Sequence, residues 1–285
     1  MRGVIAALDH VVLICPDLAE GIKDYTCVFG RGPDWHAEDT ESGTAIAQFR
    51  THNCALELMA PHGAGPVGDR LNELLSKGGP RLTSLAFMTE QIEDAHHTFQ
   101  RRGLGPSDIS GGKAVHVETG QTRAWCRTRL ADAACAGVKT FVVQHDALFQ
   151  TPKQPAGGIA SLDHLVINTP NPERATAHYG ARLGLRLALD RTAEQWNTRF
   201  LFFRVGDLTL EVIHRLDQTN DPAGNDTIWG ITWAVDDLGA AHARLSADGA
   251  DVSEIRTGRK PGSRVFTLRN KTLGVPTLFI AHTPR

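Results

Sequence analysis

The sequence predicts an α+β fold made of four βαβββ units. Three observations lead to this prediction: an internal repeat, short apolar runs that alternate with helix-like segments, and a glycine after each predicted helix. With 285 residues, the chain is long enough for two domains that each bury a core. Hydrophobic residues make up 41% and charged residues 22% of the chain, as in folded globular proteins.

The repeat is clearest at the start of each half of the chain. A shift of 154 residues lays LDHVVLICPDLAEGIKDY (8–25) over LDHLVINTPNPERATAHY (162–179), and it continues without a gap to Glu57 and Glu211. Weaker similarity relates residues 84–103 to 230–249 at a shift of 146, and residues 140–145 to 277–282 at a shift of 137. The chain is therefore a duplication whose loops differ in length.

Each unit has the same order of elements. It opens with an apolar strand such as HVVLI (10–14), followed by a helix with apolar residues three or four apart, such as Ile22, Tyr25 and Phe29. Two or three strands follow, such as TAIAQFRT and CALELMA, or RFLFFRV and LTLEVIH in the second half. A glycine in the left-handed conformation is expected to end each helix, at Gly30, Gly103, Gly184 and Gly249.

These elements predict two tandem domains. The first domain spans 1–150 and contains modules at about 4–61 and 80–146. A Pro- and Gly-rich linker follows at 151–158. The second domain spans 159–285 and contains modules at about 159–215 and 226–283.

Charge and composition exclude several classes of function. The net charge of −2 gives no basic field for a nucleic acid, and no apolar run is long enough for a membrane span. The five cysteines form no C-x-x-C pair, which favours free thiols in a reducing, cytoplasmic setting.

The four βαβββ units, the L-D-H-[VL]-V strand openings and the L-E-[LV] strands resemble the vicinal oxygen chelate superfamily, from about residue 4 to 283. That superfamily includes glyoxalase I, extradiol dioxygenases, epimerases and bleomycin-resistance proteins. The resemblance implies that two modules pair into one curled mixed sheet that forms a half-open cup, with a divalent metal at its floor. It also implies a small-molecule ligand, and it allows a homodimer.

The resemblance places metal ligands at His10 and Glu57 in the first domain and at His164 and Glu211 in the second. Imidazole and carboxylate suit Fe(II), Mn(II), Ni(II) or Zn(II). The even modules depart from the pattern, because Ser84 and Gly230 stand at the expected ligand positions. Extradiol-type chemistry is therefore disfavoured.

His145 and His282 could each complete a two-histidine, one-carboxylate site. Because side chains alternate along a strand, a shift of one residue would instead present Gln144 and Ala281. A structural histidine is the competing interpretation for each L-D-H motif. A glutamate in an apolar strand is harder to explain that way, because an unpaired buried carboxylate is costly.

Two features favour the second domain as the substrate site. A basic hairpin, RTGRKPGSR (256–264), carries Arg256, Arg259, Lys260 and Arg264, which would receive an anionic group at the rim of the cup. A solvated turn is the alternative interpretation. Trp229, next to Gly230, is expected to face the cup.

The segment GAGPVG (63–68) matches the glycine pattern of a dinucleotide-binding loop. Pro66 lies inside the turn, the following helix-like stretch is short, and the repeat explains the segment as a connection between modules. No nucleotide cofactor is expected.

The sequence thus predicts a metal-dependent enzyme that acts on a small oxygenated, anionic molecule, whether as a lyase, an isomerase or a dioxygenase. Glu211 would act as a ligand and as a base. The alternative is a metal-free cup that sequesters a compound, as resistance-type relatives do.

Overall fold

A computed structural model describes residues 4–147 and 151–282 of the chain. The predicted end of the first domain, at 148–150, and the last predicted residues of the second, at 283–285, lie outside the described residues. The described chain forms two eight-stranded mixed sheets and the helices that connect their strands. The predicted α+β fold of four βαβββ modules is therefore confirmed.

The first sheet contains the elements of the first two modules. Their bounds are β1 (Ala7–Ile14), α1 (Leu18–Phe29), β2 (Trp35–Asp39), β3 (Thr44–Arg50), β4 (Ala55–Pro61), α2 (Pro66–Gly78), β5 (Arg81–Met88), α3 (Ile92–Arg101), β6 (Ser110–Val115), β7 (Thr122–Arg129) and β8 (Lys139–His145).

The second sheet contains the other two modules. Their bounds are β9 (Ser161–Asn168), α4 (Pro172–Ala175), β10 (Arg186–Ala193), β11 (Thr198–Val205), β12 (Leu208–Arg215), β13 (Thr227–Ala234), α5 (Leu238–Ala247), β14 (Arg256–Thr257), β15 (Ser263–Leu268) and β16 (Thr277–His282). The α4 helix continues in π-helical turns over Thr176–Arg182.

The two sheets share one strand order. It is β2-β3-β4-β1-β5-β8-β7-β6 in the first and β10-β11-β12-β9-β13-β16-β15-β14 in the second. In each sheet the opening strands of the two modules pair antiparallel at the centre, and each lies parallel to the last strand of its own module. Two modules therefore share one curved sheet. We call the concave face of the β1–β8 sheet the first cup and that of the β9–β16 sheet the second cup.

Side chains alternate between the core and the cup, as the pleat of a strand requires. Along β9, Leu162, Leu165 and Ile167 belong to the hydrophobic core, which is continuous through both halves of the chain. His164 and Val166, between them, lie on the concave face.

Local sequence signals mark the start of α1 and the predicted ends of four helical segments. The Asp17 side chain accepts a hydrogen bond from the backbone of Glu20 at 3.0 Å, which caps the start of α1. All four predicted stop glycines have positive φ, at 73° for Gly30, 68° for Gly103, 82° for Gly184 and 73° for Gly249. A residue with a Cβ would be strained there.

The α1 and α5 helices contribute to the contact between the halves. Arg244 of α5 donates hydrogen bonds to the Cys27 and Val28 carbonyls at the end of α1, and to Gly157 in the linker. Next to these bonds, the rings of Phe29 and Trp233 meet edge to face at 5.3 Å. None of the described helices is long and apolar enough to cross a membrane.

Candidate functional site

A β-bulge shapes the floor of each cup. Next to β13, Leu162 pairs with Trp233 and His164 pairs with Thr232, so Asp163 is the extra residue. Asp9 occupies the same place in β1, between Leu8 and His10. Because the bulge interrupts the alternation, Asp163 can bond to the adjacent His164 instead of pointing to the opposite face.

In the second cup, His164 has a fixed tautomer. Its Nδ1 lies 2.7 Å from Asp163 Oδ1, so the carboxylate accepts the Nδ1 proton. The Nε2 atom lies 2.9 Å from the Thr232 hydroxyl. The Nε2 atom is therefore directed into the cup.

Glu211 faces the same nitrogen. Its Oε2 atom is 3.5 Å from His164 Nε2, and its side chain is 18% exposed. Burial raises the pKa of Glu211 above its usual range, and the opposing attraction of His164 and Arg259 does not cancel that effect. Glu211 is therefore held beside an imidazole at the floor of the second cup.

His282 binds Asp163. Its Nε2 atom is 2.7 Å from Asp163 Oδ2, so one carboxylate bridges two imidazoles. Although burial opposes it, the hydrogen bonds from His164 and His282 hold the pKa of Asp163 well below its usual range. Of the two registers that the sequence left open, the structure has His282 and not Ala281 on the cup side of β16. His282 reaches the aspartate that orients His164 rather than the His164–Glu211 pair.

The first cup contains the same groups with different partners. His10 Nδ1 lies 2.6 Å from Asp9 Oδ2, and His145 Nε2 lies 3.1 Å from Asp9 Oδ1. Glu57 is 4.0 Å from His10 Nε2, and its Oε2 accepts a 2.7 Å hydrogen bond from the Gln48 amide. Burial alone would lower the pKa of His10, but Glu57 and Asp9 raise it.

Two arginines also enter the first cup. Arg50 Nη1 is 3.7 Å from Asp9 Oδ1, and Arg123 donates to Gln48 Oε1 at 3.3 Å while its guanidinium stacks on Trp35 at 3.9 Å. These cations balance the buried carboxylates. In the second cup the counterpart of Arg50 is Arg204, which is exposed and donates to Thr209.

The two edges of the first cup are joined. Val117, just after β6, donates a backbone hydrogen bond to His36 of β2 at 2.9 Å, which joins the two edges of the sheet. The α2 helix covers part of the concave face, where Leu71 packs against Val12 and Ile14. The sequence predicted only a short helix-like connection here, and not that it would cover part of the concave face.

The second cup is open. A loop over 216–226 replaces α2, and the edge strand β10 is exposed along all but its last residue. Trp229, in a bulge of β13, is 50% exposed. Gly230 faces the cup, but a Cβ there would lie 2.8 Å from the Pro276 carbonyl oxygen, so the backbone itself excludes a ligand side chain.

The basic hairpin lies at the mouth of this cup. The Arg259 guanidinium is 4.8 Å from the centre of the Trp196 ring, and it lowers the pKa of Glu211. Arg256 pairs with Val265 and so shares its cup-facing side. The structure does not bring Arg264 to the cup: it alternates with Val265 and lies on the helix-facing side of β15, with Phe266.

The charge of Lys260 also reaches the floor of the cup, where it contributes to the lowered pKa of Asp163. Arg259 and Lys260 are therefore the members of the predicted basic cluster whose charges act on the His164 site.

A divalent metal fits the two cups differently. In the second, His164 Nε2 and Glu211 Oε2 converge, and Asp163 supports the imidazole as an outer carboxylate does in metal sites. In the first, Arg50 already supplies positive charge beside Asp9. In the described ranges, no three His, Cys, Asp or Glu side chains are arranged to hold a metal.

The glycines of GAGPVG have a packing role. A Cβ on Gly65 would lie 2.4 Å from the backbone of the turn at Ser42 and Gly43, and one on Gly68 would lie 2.2 Å from the Gly43 carbonyl oxygen. These glycines let the start of α2 approach the β2–β3 turn.

The fold and the paired Asp-His motifs define a class of proteins with duplicated, cup-shaped βαβββ sheets. Two family models match the chain: a glyoxalase-like domain at residues 8–160 and the glyoxalase/bleomycin resistance protein/dioxygenase superfamily at 163–267. The chain belongs to this superfamily, which confirms the predicted resemblance. No curated protein matches its sequence.

Solved structures share the fold. A variant of 4-hydroxymandelate synthase from Streptomyces coelicolor has a TM-score of 0.71 at 13% identity and covers 98% of this chain and 93% of its own. The Mn(II)-bound glyoxalase from Novosphingobium aromaticivorans has a TM-score of 0.63 at 13% identity. The match covers 97% of this chain and 82% of the glyoxalase chain. The halotolerant catechol dioxygenase BphC has a TM-score of 0.62 at 12% identity. The match covers 98% of this chain and 87% of the dioxygenase chain.

Sequence reasoning missed three residues at this site. Asp163 was visible in the repeated L-D-H motif, but strand alternation would have turned it away from His164. Thr232, which pairs with His164, gave no signal beyond its position in the repeat. Phe202, which pairs with Glu211, lies in an aromatic-rich segment of the second half, but packing between sheet and helix was the expected role of such rings. The first-half counterparts of Thr232 and Phe202 are Ala86 and Gln48.

Proposed function

We propose that the second cup is the active site of an enzyme that acts on a small oxygenated, anionic organic molecule, and that the first cup is a structural copy. The observation that carries this proposal is the pair formed by His164 and Glu211, 3.5 Å apart at the floor of an open cup with Arg259 at its mouth. The enzymes among the structural neighbours support it.

Each residue of the second cup has a role in this proposal. Asp163 fixes the tautomer of His164 and directs its Nε2 at the substrate. Glu211 accepts a proton from carbon or oxygen at the reacting end of the substrate. Arg259 and Lys260 bind the anionic group, because guanidinium and ammonium groups pair with carboxylate or phosphate.

His164 and Glu211 are also the residues that would hold a divalent metal. A metal bound there would supply Lewis-acid polarisation of substrate oxygens. Lyase, isomerase and dioxygenase chemistry all fall within the proposal.

Metal content and metal affinity test the proposal. The full chain, purified without chelator, is analysed for metal and titrated calorimetrically with Mn(II), Fe(II), Ni(II) and Zn(II). We expect binding of one equivalent, weakened at least tenfold by His164→Ala or Glu211→Gln. The matched variant Glu57→Gln should leave affinity unchanged, because Glu57 belongs to the first cup. Affinity that His164→Ala leaves intact would contradict the proposal.

A second candidate function is metal-free binding of a compound without catalysis. The glycine at position 230, where the Pro276 backbone leaves no room for a ligand side chain, favours this candidate. A protein that binds no metal, yet binds anionic ligands in a way that depends on Arg259, would support sequestration over catalysis.

A further inference from the structure

We infer that the ligand of the second cup is a flat aromatic anion, with its ring against β11, its charge at Arg259 and its oxygenated end at His164 and Glu211. This inference deepens the proposed function and rests on it. It follows from a row of three aromatic side chains, Trp196, Phe200 and Phe202, which we call the aromatic wall.

The aromatic wall is continuous from the floor of the cup to its mouth. Phe202 pairs directly with Glu211 across the β11–β12 ladder, so it stands beside the reacting carboxylate. The rings of Phe202 and Phe200 are nearly parallel, 11° apart, with centres 5.9 Å from each other. Trp196 meets Phe200 edge to face at 6.0 Å.

These phenylalanines lie on the cup side of β11, where Phe200 is buried and Phe202 is partly accessible. Leu201 and Phe203, which alternate with them along β11, belong to the hydrophobic core. Phe202 is only half-buried, although a large apolar ring in a strand is normally covered. A half-buried ring beside a catalytic carboxylate leaves apolar surface for a ligand.

The wall ends at positive charge. The Arg259 guanidinium lies 4.8 Å from the centre of the Trp196 ring, and that of Arg191 lies 5.9 Å from it. A ligand that extends along the wall from Glu211 therefore reaches these cations with its far end. The order of groups, from carboxylate to rings to guanidinium, fixes the orientation of the ligand.

The comparison of the two halves shows that the wall is not a property of the fold. At the three matching positions the first half has Ser42, Ile46 and Gln48. Gln48 uses its amide to satisfy Glu57, whereas Phe202 cannot form a hydrogen bond with Glu211. In the second cup, the apolar ring of Phe202 thus stands beside Glu211, where the first cup has the polar partner Gln48 beside Glu57.

Three probes separate the parts of this inference: 4-hydroxycinnamate, its methyl ester, and 3-(4-hydroxycyclohexyl)propanoate. The ester lacks the charge, and the last probe lacks the aromatic ring. Calorimetric titration of the full chain, with and without Mn(II), measures each affinity. We expect 4-hydroxycinnamate to bind at least tenfold more tightly than either of the others.

Variants locate the contacts. Phe202→Leu should weaken 4-hydroxycinnamate about three- to tenfold and leave the cyclohexyl acid nearly unchanged, since ring-on-ring packing is worth about 0.5–1.5 kcal/mol. Arg259→Gln should weaken both acids and spare the ester. Arg264→Gln is the matched control, because Arg264 lies on the other face of β15, and it should change nothing.

The outcomes distinguish this inference from the proposed function. Equal affinity for the cyclohexyl acid and the cinnamate would overturn the aromatic ligand while an anion-binding cup remained. Metal binding that depends on His164, without binding of any probe, would overturn this inference alone. If neither metal nor acids bind, the proposed function fails as well.

Discussion

His178 provides a quantitative test of the packing around α4. The side chain is 2% exposed, lies in the π-helical turns and has no hydrogen-bond partner for either ring nitrogen within the described chain. Burial, together with the nearby charges of Arg182 and Arg174, lowers its pKa from 6.5 to about 4. At the matching position in α1, a regular helix, the residue is the half-buried Asp24.

This lowered pKa makes stability depend on pH. Below pH 6.5 the unfolded chain takes up a proton that folded His178 resists, so the free energy of unfolding falls as the pH falls. With pKa values of 6.5 and about 4, the loss between pH 7.5 and pH 5 is about 2 kcal/mol. Asp163, whose folded pKa lies below its ordinary value of 3.8, loses its stabilising contribution only at lower pH.

The substitution His178→Leu removes this titration and fills the site with an apolar side chain. Urea unfolding followed by circular dichroism at pH 7.5, 6.5, 5.5 and 5.0 gives the free energy of unfolding of each protein. Between pH 7.5 and pH 5 the variant should lose about 2 kcal/mol less than the wild type. His97→Leu, at an exposed histidine, should follow the wild type. Parallel pH profiles for wild type and His178→Leu would refute a buried, neutral imidazole.

Three further substitutions test the first cup and the contact between the halves. Arg50→Met should lower the free energy of unfolding by about 3 kcal/mol, because it leaves Asp9 and Glu57 buried with one less cation. Urea unfolding at pH 7.5 measures this loss, and a loss below about 1 kcal/mol would contradict the charge balance. Gly65→Ala should cost about 1–3 kcal/mol by forcing α2 from the β2–β3 turn, whereas Gly32→Ala, with open space around it, should be nearly neutral in the same assay. Arg244→Met should lower the thermal midpoint and reduce the free energy of unfolding by about 2 kcal/mol, because three backbone carbonyls lose a charged donor. An unchanged midpoint would show that these bonds add nothing to the contact between α1 and α5.

Much of the fold could be predicted because the repeat shows each element twice. Positions such as Gly30 and Gly184 align, and both have the backbone conformation that ends a helix. These features depend on local periodicity, which a sequence shows directly. The expectation that Glu211 faces the cup came instead from the resemblance and from the cost of burying an unpaired carboxylate, and in the structure Glu211 lies beside His164.

The details of the site depend on contacts between strands, which local periodicity does not contain. The bulge at Asp163 adds one residue to β9, and a regular strand would have turned that carboxylate into the core. The role of Arg50 inside the first cup also depends on tertiary contacts, since its counterpart Arg204 occupies the same sequence position and is exposed.

The edges of the two cups differ in what must move to widen them. In the first cup, a backbone hydrogen bond between Val117 and His36 joins the edges, so widening requires a local unfolding event. In the second cup, the contact between Arg259 and Trp196 at the mouth is made by side chains, and exposed side chains rearrange within nanoseconds. One half of the duplicated chain thus opens only by breaking backbone pairing, whereas the other opens by side-chain motion alone.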